Sequence, residues 1–130
     1  MKIFNLIWGF SLGAGIDKCY LTYNDMADVD HSVKVHSVCI NLINLNTDLS
    51  VLKEKEVEII NIKKQLDFSW TNKLQESLDH NKPDIIFTHG FNGAIIAFIM
   101  RFLKGNKIPI VCTYHGLYHA PKNNKKILEP

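Results

Sequence analysis

Cysteine is scarce in this chain, with three in 130 residues. Cys19, Cys39 and Cys112 are odd in number and far apart, and each sits in an apolar run. They offer no disulfide framework and no cysteine-rich metal cage; they are expected as buried, reduced thiols of a cytosolic protein. Histidine has no ligand pattern either. His31, His36, His80, His89, His115 and His119 include no helical i, i+4 pair, and neither cysteine nor carboxylate clusters with them, so no metal site is expected. His115 and His119 are four apart, but in a stretch that reads as loop. Charge of one sign is lacking too: a net +2 gives no case for nucleic acid as a partner. Lys122, Lys125 and Lys126 crowd the end of the sequence as a solvated tail or, alternatively, a phosphate or membrane patch.

Long hydrophobic runs are also missing. Ala94 to Met100 ends at Arg101, far short of the roughly 20 residues a spanning helix needs. The run from Ile3 to Ile16 follows Lys2 as a secretory signal would, but Asn5 and the glycines interrupt it. Asp17 and Lys18 then stand where a small-residue cleavage site belongs, so a first strand and its loop explain the same residues better. There is no internal repeat and no low-complexity segment.

The residues present suit one α/β domain. A chain of 130 residues with 46% hydrophobic content builds one core. Apolar runs predict strands at Lys2–Trp8, Val33–Ile40, Val57–Ile62, Asp84–Thr88 and Ile108–Tyr114. Between them, helical spacing joins Ile16, Cys19, Tyr20, Tyr23, Met26 and Ala27. Asn41 to Thr47 reads as loop, Asp48–Lys55 as a short helix, and Ser69 as the N-cap of a helix through Trp70, Leu74 and Leu78. Asn92 to Lys104 is apolar nearly all round, which predicts a helix covered on most sides, with Gly105 just past its end. Alternating strands and helices specify a Rossmann-like, doubly wound parallel sheet in order 3-2-1-4-5, and the tail from Leu117 reads as loop. That order makes the first and fourth strands neighbours, with the ligand crevice of such sheets between their carboxyl ends.

Three segments converge there. Gly9, Gly13, Ala14 and Gly15 lead into a helix N-terminus, whose free N–H groups and partial positive charge suit a phosphate. The same loop lacks the third glycine of a dinucleotide fingerprint and the lysine of a Walker motif, and a plain turn remains open. Thr88-His89-Gly90 and Thr113-Tyr114-His115-Gly116 each end an apolar strand on histidine and glycine. His115 is a candidate hydrogen-bond donor to a sugar or phosphate oxygen, a general base, a metal ligand or a structural residue. Asp17 caps its helix or holds the loop.

Taken together, these segments resemble family 4 glycosyltransferases. Lys2–Trp8 with Gly13-Ala14-Gly15-Ile16-Asp17-Lys18 is similar to the family's opening, with Ala14 in place of one glycine and Asp17 in place of glutamate. His31-Ser32-Val33 resembles its His-Glu-Val. Pro83-Asp84-Ile85-Ile86-Phe87-Thr88-His89-Gly90 and Ile108-Pro109-Ile110-Val111-Cys112-Thr113-Tyr114-His115-Gly116 resemble its fourth and fifth strands. The resemblance implies the N-terminal domain of a two-domain GT-B enzyme that transfers sugar with retention and without a metal. By that resemblance Gly13, Ala14 and Gly15 face the donor diphosphate, His115 touches the donor sugar near the reacting carbon, and His89, Gly90 and Gly116 line the acceptor side. It also implies a nucleotide-sugar and a glycosyl acceptor as substrates, and a C-terminal domain in cis or in trans that carries the groups for the leaving diphosphate. No further cofactor is expected. The location implied is cytoplasmic, or peripheral at the inner face of the membrane. A self-standing phosphate-binding module and a non-catalytic docking subunit are the alternatives.

Overall fold

Five of the seven residues of strand β1 (Lys2–Trp8) are buried, which places it at the centre of a sheet. Its pleat sends Phe4 and Leu6 to one face and Asn5 and Ile7 to the other. The computed structural model describes residues 1–10, 15–45, 47–64 and 67–113. In it β1 is flanked by β2 (Lys34–Leu42) and β4 (Ile85–His89), with β3 (Glu58–Ile62) and β5 (Ile110–Thr113) outside them. Every pairing is parallel and the order is β3-β2-β1-β4-β5, as the alternation of elements predicts. The pairing sets Ile7 beside His89, and His89 beside Thr113.

Each face of the sheet has its own core. Helices α1 (Gly15–Asn24) and α3 (Ser50–Glu54) put Tyr20 and Leu52 against Ile7 and Cys39. On the opposite face α4 (Trp70–Asn81) and α5 (Gly90–Lys104) pack Trp70, Leu74, Leu78, Ile96 and Met100 on Phe4, Leu6, Val38 and Ile86. Gly93 sets how closely α5 approaches. A Cβ there would lie 3.1 Å from the Cβ of Thr88 and 3.7 Å from the Leu6 carbonyl oxygen.

Several local expectations change. The first helix breaks at Asp25, whose carboxylate holds Lys55 Nζ at 2.9 Å, and Met26–Val29 forms a separate turn, α2. Strand β2 continues through Asn41, read from the sequence as loop, because the Asn41 amide donates across to Asn61 Oδ1 at 3.0 Å. Ser69 occupies the N-cap position of α4 without a side-chain cap bond; Asp67 accepts the Ser69 N–H instead. Cys112 is exposed rather than buried, since β5 is an edge strand. Helix α5 is not covered on most sides: it buries Gly90, Gly93, Ile96, Ala97 and Met100 and leaves an apolar face outward.

Candidate functional site

The carboxyl ends of β1, β2 and β4 open into a cleft of about 640 Å³. Trp8, Gly9 and Phe10 form its floor, Asn41 and Thr47 one wall, and Gly90, Phe91 and Asn92 the other. Ile16 and Asp17, in the first turn of α1, close the near side. Both α1 and α5 therefore begin at this cleft, and the first-turn N–H groups of each carry partial positive charge. Gly90 makes the entry into α5 possible. Its φ of +80° is a left-handed value, and a Cβ there would press on Ile16 Cδ1 at 3.3 Å.

Beneath the cleft lies a buried polar knot centred on Asn5, which is fully enclosed in the middle of β1. Its amide nitrogen donates to the Tyr20 carbonyl at 3.1 Å and to Ser37 Oγ at 3.0 Å. With the nitrogen so committed, Asn5 Oδ1 faces His89, and His89 Nε2–H donates to it at 2.6 Å. Thr113 Oγ1 stands 3.0 Å from His89 Nδ1 and 3.4 Å from the Thr88 carbonyl, so the shorter contact takes its hydroxyl proton. Both ring nitrogens of His89 are thus engaged, and the ring packs edge-on against Tyr20 with centroids 5.5 Å apart. This histidine ties β1, β4 and β5 together at the rim. Its geometry is that of a positioning group.

The thiol and phenol under the site are not activated. Burial, reinforced by the nearby Asp17 carboxyl, pushes the Cys39 thiol up to about 12, and burial pushes the Tyr20 phenol well above its ordinary value. Neither supplies a nucleophile at neutral pH. Among the described residues, no three His, Cys, Asp or Glu side chains gather as a metal cage.

Of the residues singled out from sequence, His89 and Gly90 line the cleft, and Gly15 opens α1 beside Ile16 and Asp17, which also line it. Asp17 is buried within the first helical turn. Gly13, Ala14, His115 and Gly116 lie outside the described residues, as does the tail from Leu117. Sequence reasoning missed Asn5, Thr113 and Asn41. The available signal was Asn5 itself, an amide inside a run that the sheet had to bury on both faces.

The family model for glycosyltransferase family 4 matches residues 44–130. No curated protein matches the chain. Among solved structures, a lipopolysaccharide outer core galactosyltransferase WaaB in its apo form is similar, with a TM-score of 0.61 at 18% identity. The match covers 88% of this chain and 33% of that one, so the chain spans about a third of that structure's length. At this identity the likeness speaks for the fold: an all-parallel sheet in the same GT-B class. The family match takes in more than half of the chain, including β4, which ends at the cleft, and β5 beside it, and the chain belongs to glycosyltransferase family 4, as an N-terminal part of the GT-B architecture.

Proposed function

We propose that the chain is the acceptor-side domain of a retaining glycosyltransferase, working with a C-terminal domain in cis or in trans. It would move a sugar from a nucleotide-sugar donor to a glycan, lipid-linked or small-molecule acceptor, without a metal and on the cytoplasmic side of a membrane. The observation that carries this reading is the cleft where α1 and α5 begin, walled by one domain only. Sugar transfer needs a developing oxocarbenium ion and a departing diphosphate to be stabilised in a water-poor space. One open wall does not exclude water, so a second domain must complete the site.

Each group then has a defined task. The first-turn N–H groups of α1 and α5 offer partial positive charge to an anionic donor. His89 fixes the end of β5 through Thr113, two residues before His115, which would contact the donor sugar near the reacting carbon. Gly13, Ala14 and Gly15 would face the diphosphate, and Gly90 and Gly116 would border the acceptor.

The test uses transfer from a nucleotide-sugar. The 130-residue chain alone should transfer negligibly, and adding the C-terminal half should restore turnover that survives a chelator. In that complete enzyme His115→Ala should lower kcat tenfold or more, about 1.4 kcal/mol of barrier, with an unchanged melting temperature. Ordinary turnover by the chain alone would remove the half-site reading. Full activity with lost stability would make His115 structural.

A further inference from the structure

We propose a second binding site at the opposite edge of the sheet from the cleft: a basic pocket that holds a phosphate group, free or as a small monoester. It is built on a like-charged pair. Lys2 and Lys34 stand opposite each other in the register of β1 and β2, on strands about 4.8 Å apart. The next pair along that face, Phe4 and His36, is in ring contact with centroids 5.8 Å apart. Side chains alternate along a strand, so Lys2 and Lys34 share the face that α4 covers. Like charges so placed repel and cost stability unless something of opposite sign lies between them. Among the described residues neither ammonium has an ion-pair partner.

Helix α4 completes the pocket. Its last turn brings His80 and Asn81 to the two lysines and His36, and these five residues line a space of about 290 Å³. None of the residues lining it is acidic. Two carboxylates border the region, and each is engaged. Glu58 Oε1 meets His36 Nε2 at 2.8 Å and accepts from Ser77 Oγ at 2.7 Å, while Asp84 Oδ2 accepts the Lys2 N–H at 2.8 Å. With Nε2 so held, His36 keeps Nδ1 for a ligand. The Asn81 amide nitrogen donates to the Ser77 carbonyl at 2.8 Å, which leaves its Oδ1 to accept from a hydroxyl. Two ammonium groups and two imidazoles with no acid among them suit a dianion, and lysine binds phosphate as a compact point charge. The volume lies at the lower edge of small-molecule sites, so it admits a phosphate or a small monoester. The pocket sits at the amino ends of the strands, roughly 20 Å from the cleft along β1. It does not depend on the sugar-transfer reading.

The test is titration of the 130-residue chain in chloride buffer with inorganic phosphate and with glycerol phosphate, at constant ionic strength. The ring-proton resonances of its six histidines report where each binds. His36 and His80 should shift along one saturating curve, and His89, at the cleft, should stay still. Lys2→Gln with Lys34→Gln should weaken binding about tenfold or more, as the loss of charged donors requires. Both lysines are exposed, so in phosphate-free chloride the same variant should melt no lower than the parent, a repulsion having been removed. Tighter binding of glycerol phosphate would name a monoester as the ligand, and equal affinities free phosphate. No saturable shift at His36 and His80, shifts that survive both lysine substitutions, or shifts confined to His89 would overturn the proposal. So would a lower melting temperature of the variant without phosphate, which would make the lysines structural partners of the carbonyls that end α4.

Discussion

In an Asn5→Ala variant three hydrogen bonds vanish at once, and the groups they served have no route to water. Asn5 is fully enclosed, and Ser37 and His89 are nearly so. Each neutral bond contributes on the order of 1 kcal/mol net, but a stranded buried donor or acceptor costs about 1–3 kcal/mol. With the His89 N–H and the Ser37 hydroxyl both stranded, the loss should total about 3–5 kcal/mol, well above the ~1 kcal/mol of an average substitution. For a chain of this size each kcal/mol lowers the melting temperature by about 4 °C, so the midpoint should fall by ~12–20 °C. Asn5→Leu is the sharper variant, since it refills the space with apolar atoms and strands the same groups; it should be nearly as damaging. Urea unfolding followed by far-ultraviolet circular dichroism reads the loss, provided the slope stays constant. A cycle with His89→Ala should then show coupling of about 1–3 kcal/mol, because the two residues share one bond and one network. A leucine variant as stable as the parent, or additive single losses, would refute the knot as the element that organises the rim.

Two further perturbations probe the rest of the sheet. His36 Nε2 lies 2.8 Å from Glu58 Oε1 and Ser77 Oγ 2.7 Å from it, and the His36 bond chiefly holds the Glu58 carboxyl below its ordinary value against partial burial. The native state therefore binds this proton less readily than the unfolded chain. Its stability is fully present above the unfolded value near pH 4.5 and is lost as pH falls through the lower native one. Solvent screening limits the effect to about 1 kcal/mol or less. Glu58→Gln should flatten the stability profile between roughly pH 5 and pH 3 relative to the parent, in parallel urea titrations, and identical slopes would exclude a role for the pair. At Gly93, alanine should come out within about 1 kcal/mol of the parent, since gained helix propensity offsets a 3.1 Å contact with Thr88. Valine should lose about 1–3 kcal/mol by overpacking, and a stable Gly93→Val protein would show that α5 can lift from the sheet.

The strand order was legible in the sequence because each strand is a short apolar run and each crossover has one allowed hand. Three apolar runs, Lys2–Trp8, Val57–Ile62 and Asp84–Thr88, predict β1, β3 and β4 to within a residue. The cleft follows from the same reasoning, as its floor is wherever β1 and β4 end side by side. What stayed hidden was everything fixed by contacts between distant residues. The helix break falls at Asp25, whose carboxylate pairs with Lys55 30 residues on, and β2 extends to an Asn41–Asn61 pair 20 residues apart. His89 shows the limit most clearly. Its strand-end position and following glycine suit a side chain aimed at substrate, yet Asn5 and Thr113 take up both ring nitrogens. Helix α5 fails in the opposite direction. A segment apolar on every side reads as buried on every side, because periodicity reports hydrophobicity and not what lies opposite. Only the tertiary arrangement reveals that Phe91, Ile95, Phe98 and Phe102 face outward. An outward face written in apolar residues is therefore indistinguishable in sequence from core, whereas the cleft is placed by strand order alone and so was found without knowing what any side chain touches.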